Sequence, residues 1–358
     1  MLVKNKYNID FLNSFKYIKD VDELSNFVYG LKNYTVEKIE EITKFSESNW
    51  LIKRINDYMV YTGKMVRSSF FYLFLLGLVY EVEDLDAELW DKVFELGAIF
   101  ELAHSATLIH DDILDNASTR RGKPSVHKKF GVDGAIIFGD ILIISVLNEA
   151  YNIYPCYSKI LMECLKDMCL GEVLQYQNKY NFEIEEEEYL KILFLKTGTL
   201  FGAISHIAYH LASEVSGKEY KKEIALTLYD LFSRYGVSFQ IVDDILDYIQ
   251  KSKILKKDSY SDLLSGRVTY PLIILARSKD KEVLRKWKRL WLNNPAYFLS
   301  LIKREMAENF KRYESLLDMA RKFVDFETLD KIFKEVAFSN VFSRTIKNFV
   351  LSFVDRNY

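Results

Sequence analysis

Apolar residues recur along this chain at three- and four-residue spacing over long stretches, the period of a helix buried on one side. Leu190, Leu193, Phe194, Thr197 and Phe201 follow one another in this way, with polar residues between. The two-residue alternation of a half-buried strand is hard to find. The run Phe70–Tyr80, between Arg67 and Glu81, is apolar for 11 residues. A membrane span needs about 20 residues, so the pattern predicts a buried core helix here. Breaks are expected at Pro124, Pro155, Pro271 and Pro295 and at the polar clusters Ser118–Lys123, Ser213–Lys218 and Ser252–Ser265. No Gly/Ser-rich or Pro-rich linker divides the chain. The pattern predicts an all-α fold, a single-domain helical bundle over residues 1–358 whose central cavity is built from facing helices.

Composition supports a large packed interior: 49% of residues are hydrophobic and 15% aromatic. The net charge of −2 provides no overall field that would draw nucleic acid or an anionic membrane. Cys156, Cys164 and Cys169 have neither zinc-ligand spacing nor a disulfide framework, and are read as reduced thiols. The first residues lack a basic end followed by an apolar core, so no signal peptide is expected. These readings place the protein in the cytoplasm, not integral to a membrane.

The chemistry is concentrated in a pentapeptide that occurs twice, DDILD at Asp111–Asp115 and again at Asp243–Asp247, each time within apolar residues. In a helix the first and fifth residues share a face. Like charges at that spacing cost an isolated helix about 0.2–0.5 kcal/mol. At ~4 Å in partly buried surroundings the repulsion approaches ~4 kcal/mol. The first copy also follows the apolar segment Phe94–His110, near a helix C-terminus where the macrodipole disfavours anions. A cation must offset both clusters. Magnesium, which takes one or two carboxylates plus phosphate oxygens, suits a pair of such clusters clamping a phosphate-bearing ligand. The acidic run Glu183–Glu188 has no apolar residues interleaved and reads as a solvated loop or helix start.

Basic residues stand where anions would be held. Arg120 and Arg121 follow the first cluster, with Gly122 permitting a tight turn, and guanidinium forks match phosphate oxygens. Lys64 and Arg67 lie three apart at the head of the Phe70–Tyr80 run, on one helix face. His104 lies two helical turns before Asp111 on roughly the same face.

Together these residues resemble the trans-isoprenyl diphosphate synthases (polyprenyl synthetases), over about Gly63–Pro271. The elements occur in the family's order: DDILDNASTRRGKPSVH, then Gly139-Asp140, Gly171-Glu172 with Gln175, Lys196-Thr197, Phe239-Gln240 with Asp243, Asp244 and Asp247, and GRVTYP at Gly266–Pro271. The resemblance implies magnesium, about three ions with substrate bound, held by Asp111, Asp115 and Asp243 with Asp112, Asp244 and Asp247 in support. It implies an allylic diphosphate neutralised by Arg120, Lys196 and Lys257. Isopentenyl diphosphate would be held without metal by Lys64, Arg67, His104 and Arg121. Lys196, Thr197, Gln240 and Lys257 would be catalytic, Thr197 and Gln240 through oxygen dipoles beside an allylic cation. The implied reaction is head-to-tail (1'-4, trans) condensation, with the departing pyrophosphate as base, a loop around Ser252–Ser265 as lid, and a homodimer as the assembly.

The sequence departs from the family pattern at Thr62, at Ser68 and at Arg267, where a lysine is usual. Ala106 and Thr107, the fifth and fourth residues before Asp111, are small where short-chain members place a ring. This implies a geranylgeranyl or longer product. The alternatives are a farnesyl-length synthase, a class I terpene cyclase, and a non-catalytic subunit of a heteromeric synthase. A cyclase would not need Lys64, Arg67 and Arg121, and silent subunits tend to lose motif aspartates that are all present here.

Overall fold

The computed structural model describes residues 6–59, 65–249, 260–308 and 314–354. The helices of eight or more residues are α1 (Val21–Gly30), α2 (Lys32–Ile42), α3 (Trp50–Tyr58), α4 (Val66–Leu78), α5 (Ala87–Leu114), α6 (Val132–Ile153) and α7 (Pro155–Gln177). They continue as α8 (Glu186–Ser216, with a π-helical turn at Phe194–Gly198), α9 (Lys222–Ile249), α10 (Tyr270–Arg277), α11 (Lys281–Asn293) and α12 (Pro295–Glu308). The last are α13 (Glu314–Lys322), α14 (Phe326–Glu335) and α15 (Asn340–Val354).

Local chemistry sets the boundaries that matter for the site. Asp86 caps α5, its side chain accepting from the Leu89 amide at 2.8 Å. Trp90, Phe94 and Phe100 on α5 are fully buried, each stabilising the bundle by roughly 1.5–3 kcal/mol relative to exposure. At the other end, Asp115 is the C-cap of α5, so the first DDILD lies at the helix C-terminus as expected. Pro155 opens α7 at a position where its missing N–H is tolerated. α8 runs through Ser213 to Ser216 and stops at Gly217, whose φ of 62° is the left-handed cap. The polar cluster Ser213–Lys218 therefore contains the break without beginning it.

Two apolar clusters form the interior. One gathers α4, α5, α6, the second half of α8 and the first half of α9. The other gathers the start of α8, the end of α9, and α10–α13. α8 and α9 run from one cluster into the other and cross at the π turn. A side chain on Gly198 would lie 2.6 Å from the Ser233 carbonyl oxygen, and one on Gly236 would lie 2.8 Å from the Gly198 Cα. Only glycine permits this approach, which brings Thr197 next to Gln240.

The described strands are Thr119–Arg120 and Lys123–Pro124, an antiparallel pair that the alternation pattern did not predict. Two-residue strands are too short to show a period. What makes the hairpin is its turn, with positive φ at Arg121 (53°) and Gly122 (78°). Among the described residues one helix, Glu186–Ser216, is long and apolar enough to cross a membrane, but 72% of its apolar window is buried within the protein. The Phe70–Tyr80 run is core, with Phe70, Phe71, Tyr72 and Phe74 at most 1% exposed.

Candidate active site

One cavity of about 470 Å³ lies where the two apolar clusters meet. α5 contributes His104, Thr107, Leu108, Asp111 and Asp115 to its wall, and α9 contributes Gln240, Asp243 and Asp244 from the opposite side. The two DDILD copies thus face each other. Arg67 of α4, Arg120 of the hairpin, Lys196 and Thr197 of the π turn, and Arg267 before α10 complete the rim. π turns occur often at functional sites, because the extra residue re-aims the side chains around it.

The cations that the repeated carboxylates require come in part from the protein. Asp112, which is buried, receives Arg120 Nε at 2.9 and 3.2 Å and also pairs with Arg120 Nη2. Asp115 pairs with Arg267 Nη2, while Arg267 Nη1 reaches Asp262 Oδ1 at 3.2 Å. Lys196 pairs with Glu172, donates to Gln175 Oε1 at 2.6 Å and lies 4.0 Å from Asp111. Burial opposes the charge on Lys196, but Asp111 and Glu172 outweigh it and raise its pKa, so the ammonium is held charged. Burial likewise opposes Arg120, and the bond to Asp112 raises its pKa overall.

The second cluster is organised differently. Asp244 accepts from the Tyr189 hydroxyl at 2.6 Å and from Gln240 Nε2 at 2.9 Å, both neutral donors. Thr197 donates to Gln240 Oε1 at 3.1 Å. Asp247 is fully buried, its Oδ2 accepting from the Asp262 amide at 3.2 Å, and it does not reach the cavity wall. Asp243 faces the cavity.

On the α4 side, buried Glu101 accepts from the amides of Arg67 and Ser68 at 3.0 Å each and from Ser68 Oγ at 3.2 Å. A carboxylate from α5 thereby caps the first turn of α4, suited to the positive end of the helix. The left-handed Met65 (φ 47°) precedes that turn, and α4 starts at Val66. Lys64 and Lys257 lie outside the described residues. His104 is held well below the usual imidazole pKa by burial, then by Arg67, Arg121 and Arg120, and is neutral. Those three arginines and His104 therefore occupy one neighbourhood, with Arg121 exposed on the hairpin turn. Gly139 packs on the ring of His110, whose Nε2 is 3.6 Å from Asp140 Oδ1. Thr107 lines the cavity, whereas Ala106 is fully buried and is not part of its wall.

The donor set fits magnesium. Three buried polar atoms without a hydrogen-bond partner, Arg67 Nε, Asp115 Oδ1 and Arg267 Nε, belong to residues of this wall. Asp115 Oδ1 is a hard oxygen donor, and the two arginine nitrogens suit phosphate oxygens. No three His, Cys, Asp or Glu side chains form a ready cage among the described residues. Magnesium does not need one, because it keeps water and completes its shell with phosphate oxygens.

Three contributors escaped sequence reading. Glu101 was visible only as a charge inside the apolar segment Phe94–His110. Tyr189 sits at a helical spacing that marks it as core, and nothing local distinguishes Asp262.

A helical bundle with two opposed aspartate motifs across one cation-rimmed cavity is a polyprenyl synthetase arrangement, and the chain belongs to that family. The Polyprenyl synthetase family model matches residues 49–295. A prenyl transferase of Cyanophora paradoxa is 36% identical over 190 residues, covering 53% of this chain and 57% of that protein. The chain thus matches little more than half the length of that relative. A geranylgeranyl pyrophosphate synthase of Geoglobus acetivorans is 31% identical over 303 residues, 79% of this chain and 89% of that one. In fold, the chain is similar to the crystal structure of a polyprenyl synthase from Caulobacter crescentus CB15 complexed with calcium and isoprenyl diphosphate. The TM-score is 0.78 at 22% identity, covering 95% of this chain and 98% of that one.

Proposed function

We propose that this protein is a trans-prenyltransferase that condenses isopentenyl diphosphate head-to-tail (1'-4) with an allylic diphosphate. The observation that carries the reading is the facing of Asp111 and Asp115 toward Asp243 across one cavity that also holds Arg67, His104, Arg120 and Lys196. A single diphosphate needs only one set of counter-charges, and this wall carries four cationic side chains, Arg67, Arg120, Lys196 and Arg267, besides the aspartates.

Asp111, Asp115 and Asp243 would hold Mg²⁺, with Asp112, Asp244 and Asp247 in support. Bound magnesium supplies Lewis-acid neutralisation of the diphosphate charge. Arg120 and Lys196, with Lys257 assigned by resemblance, add fixed positive charge where the leaving pyrophosphate gains negative charge. Arg67, Arg121 and neutral His104, with Lys64 by resemblance, orient isopentenyl diphosphate; the imidazole acts as a hydrogen-bonding group. Thr197 and Gln240 turn oxygen lone pairs toward the allylic carbon as its C–O bond breaks. The isopentenyl double bond attacks that carbon, and the proton lost afterwards leaves with pyrophosphate. Leu108, Leu193 and Leu200 in the wall exclude water that would capture the cation.

We assign a geranylgeranyl or longer product, because small side chains at Ala106 and Thr107 leave no ring beneath the first motif. The chain would act as one folding unit, supported by α8 and α9 running through both apolar clusters. A homodimer is supported by apolar stripes left exposed on α6 and α7, such as Ile137, Ile144 and Tyr151 on α6 and Leu170 and Val173 on α7. A cytoplasmic location agrees with three unpaired cysteines.

The test is incubation with isopentenyl diphosphate, magnesium and each allylic primer, followed by product sizing. Elongated trans products of twenty carbons or more (about four isoprene units and upward) are expected. No incorporation of isopentenyl units, or a cyclised hydrocarbon, overturns the reading.

A further inference from the structure

The chain of contacts that ends at Thr197 begins outside the cavity. Tyr189 is 3% exposed and Asp244 is 4% exposed. The Tyr189 ring stacks on Tyr270, with centroids 5.8 Å apart and planes 18° apart, which fixes the direction of its hydroxyl. That hydroxyl donates to Asp244 Oδ2 at 2.6 Å, Gln240 Nε2 donates to Asp244 Oδ1 at 2.9 Å, and Thr197 Oγ1 donates to Gln240 Oε1 at 3.1 Å. Gln240 and Asp244 are i and i+4 on α9, whereas Tyr189 and Thr197 lie on either side of the start of the π turn in α8.

We propose that Tyr189 is a positioning residue for the cation-facing oxygens: it anchors Asp244, which sets the amide orientation of Gln240 and thereby the proton direction of Thr197. A carboxylate only accepts hydrogen bonds, so the Gln240 end that meets Asp244 must be its NH₂. Reversing the amide would press its oxygen against a carboxylate oxygen and its NH₂ toward the Thr197 hydroxyl. With the NH₂ committed, Oε1 takes the Thr197 proton, and Thr197 presents lone pairs, not an O–H donor, to the cavity. That electrostatic arrangement is fixed before reaction, which is what stabilises developing positive charge without reorganisation. Tyr189 and Gln240 thus share Asp244, one on each carboxylate oxygen, while Asp243 beside it also lines the cavity. The inference rests on the prenyltransferase reading above.

The experiment compares wild type, Tyr189→Phe, Gln240→Leu and the double variant in steady-state elongation, with magnesium affinity measured by calorimetry and folding by thermal melts. Wild-type turnover tests the underlying reading separately. Tyr189→Phe should lower kcat about tenfold, the scale of one hydrogen bond to a charged acceptor. Both KM values and magnesium affinity should stay within about twofold, because an interaction made only in the transition state leaves ground-state binding alone. The double variant should be no slower than Gln240→Leu, since both changes break one chain. With an active wild type, unchanged kcat in Tyr189→Phe, additive losses in the double variant, or a shift in magnesium affinity each overturns the inference. If Tyr189→Phe does not fold, Asp244→Asn reads the same chain from its middle. It should lower kcat non-additively with Gln240→Leu, and additive losses would again overturn the proposal.

Discussion

Arg267 ties the first aspartate motif to the loop that precedes α10: its guanidinium pairs with Asp115 through Nη2 and with Asp262 through Nη1. A planar fork holds two carboxylates in fixed directions, whereas an ammonium offers three donors without that fixed geometry. Arginine where the family usually has lysine is therefore accommodated by a specific two-carboxylate contact. Removing it takes the shared guanidinium away from both Asp115 and Asp262. Arg267→Ala is expected to destabilise the magnesium-free protein by about 3 kcal/mol. Added magnesium should recover part of that loss by supplying charge to Asp115. Urea denaturation with and without magnesium measures both; equal losses in the two conditions would separate Arg267 from the metal side of the site.

Chain length is the next expectation. Ala106 is fully buried on α5, one residue before cavity-lining Thr107. Ala106→Phe should shorten the product, because a ring placed below the first motif blocks the growing chain. Chromatographic sizing of products reads this directly, and an unchanged product spectrum would remove Ala106 from the role.

The pH dependence of stability should carry the mark of His104. Burial, then Arg67, Arg121 and Arg120, hold its pKa in the folded protein well below the ordinary value. The unfolded chain therefore takes up a proton near pH 6.5, where the folded protein does not. Stability is full above that pH and falls as pH drops from there toward the folded-state pKa. His104→Asn should flatten this part of the profile. Thermal melts from pH 8 down to pH 5, in about half-unit steps, provide the measurement.

Glu95 should act in the opposite sense. Burial, reinforced by Glu149, Asp91 and Glu41 against the attraction of Lys38, raises its pKa to about 7. Its contribution is most favourable below the usual glutamate range and is lost as pH rises through about 7. Glu95→Gln should therefore raise Tm at pH 8 and have little effect near pH 4. A variant that gives the same shift at both values would rule out ionisation as the cause.

Several features needed no structure because they are written in local spacing. Three- and four-residue periodicity marks helical faces, so the all-helical fold and the core position of Phe70–Tyr80 could be read directly. The repeated DDILD announced its need for cations through charge density alone, and the turn at Arg121–Gly122 announced itself by its glycine. The small hairpin around that turn did not, since its strands are too short to alternate. Local spacing also gives no sign of what caps the start of α4, because Glu101 reaches it from another helix.

What the sequence by itself determined is the set of charged groups and the helical faces that carry them. The tertiary structure alone decided which group answers which. Asp112 takes Arg120 from a nearby turn, Asp115 takes Arg267, and Asp244 takes Tyr189, a neutral donor. Periodicity gives the direction of a side chain about its own helix axis but carries no information on which distant helix packs opposite. That choice follows from burial of the apolar faces and from the close crossing of α8 and α9 at Gly198 and Gly236. Through it, two identical pentapeptides become unlike halves of one site.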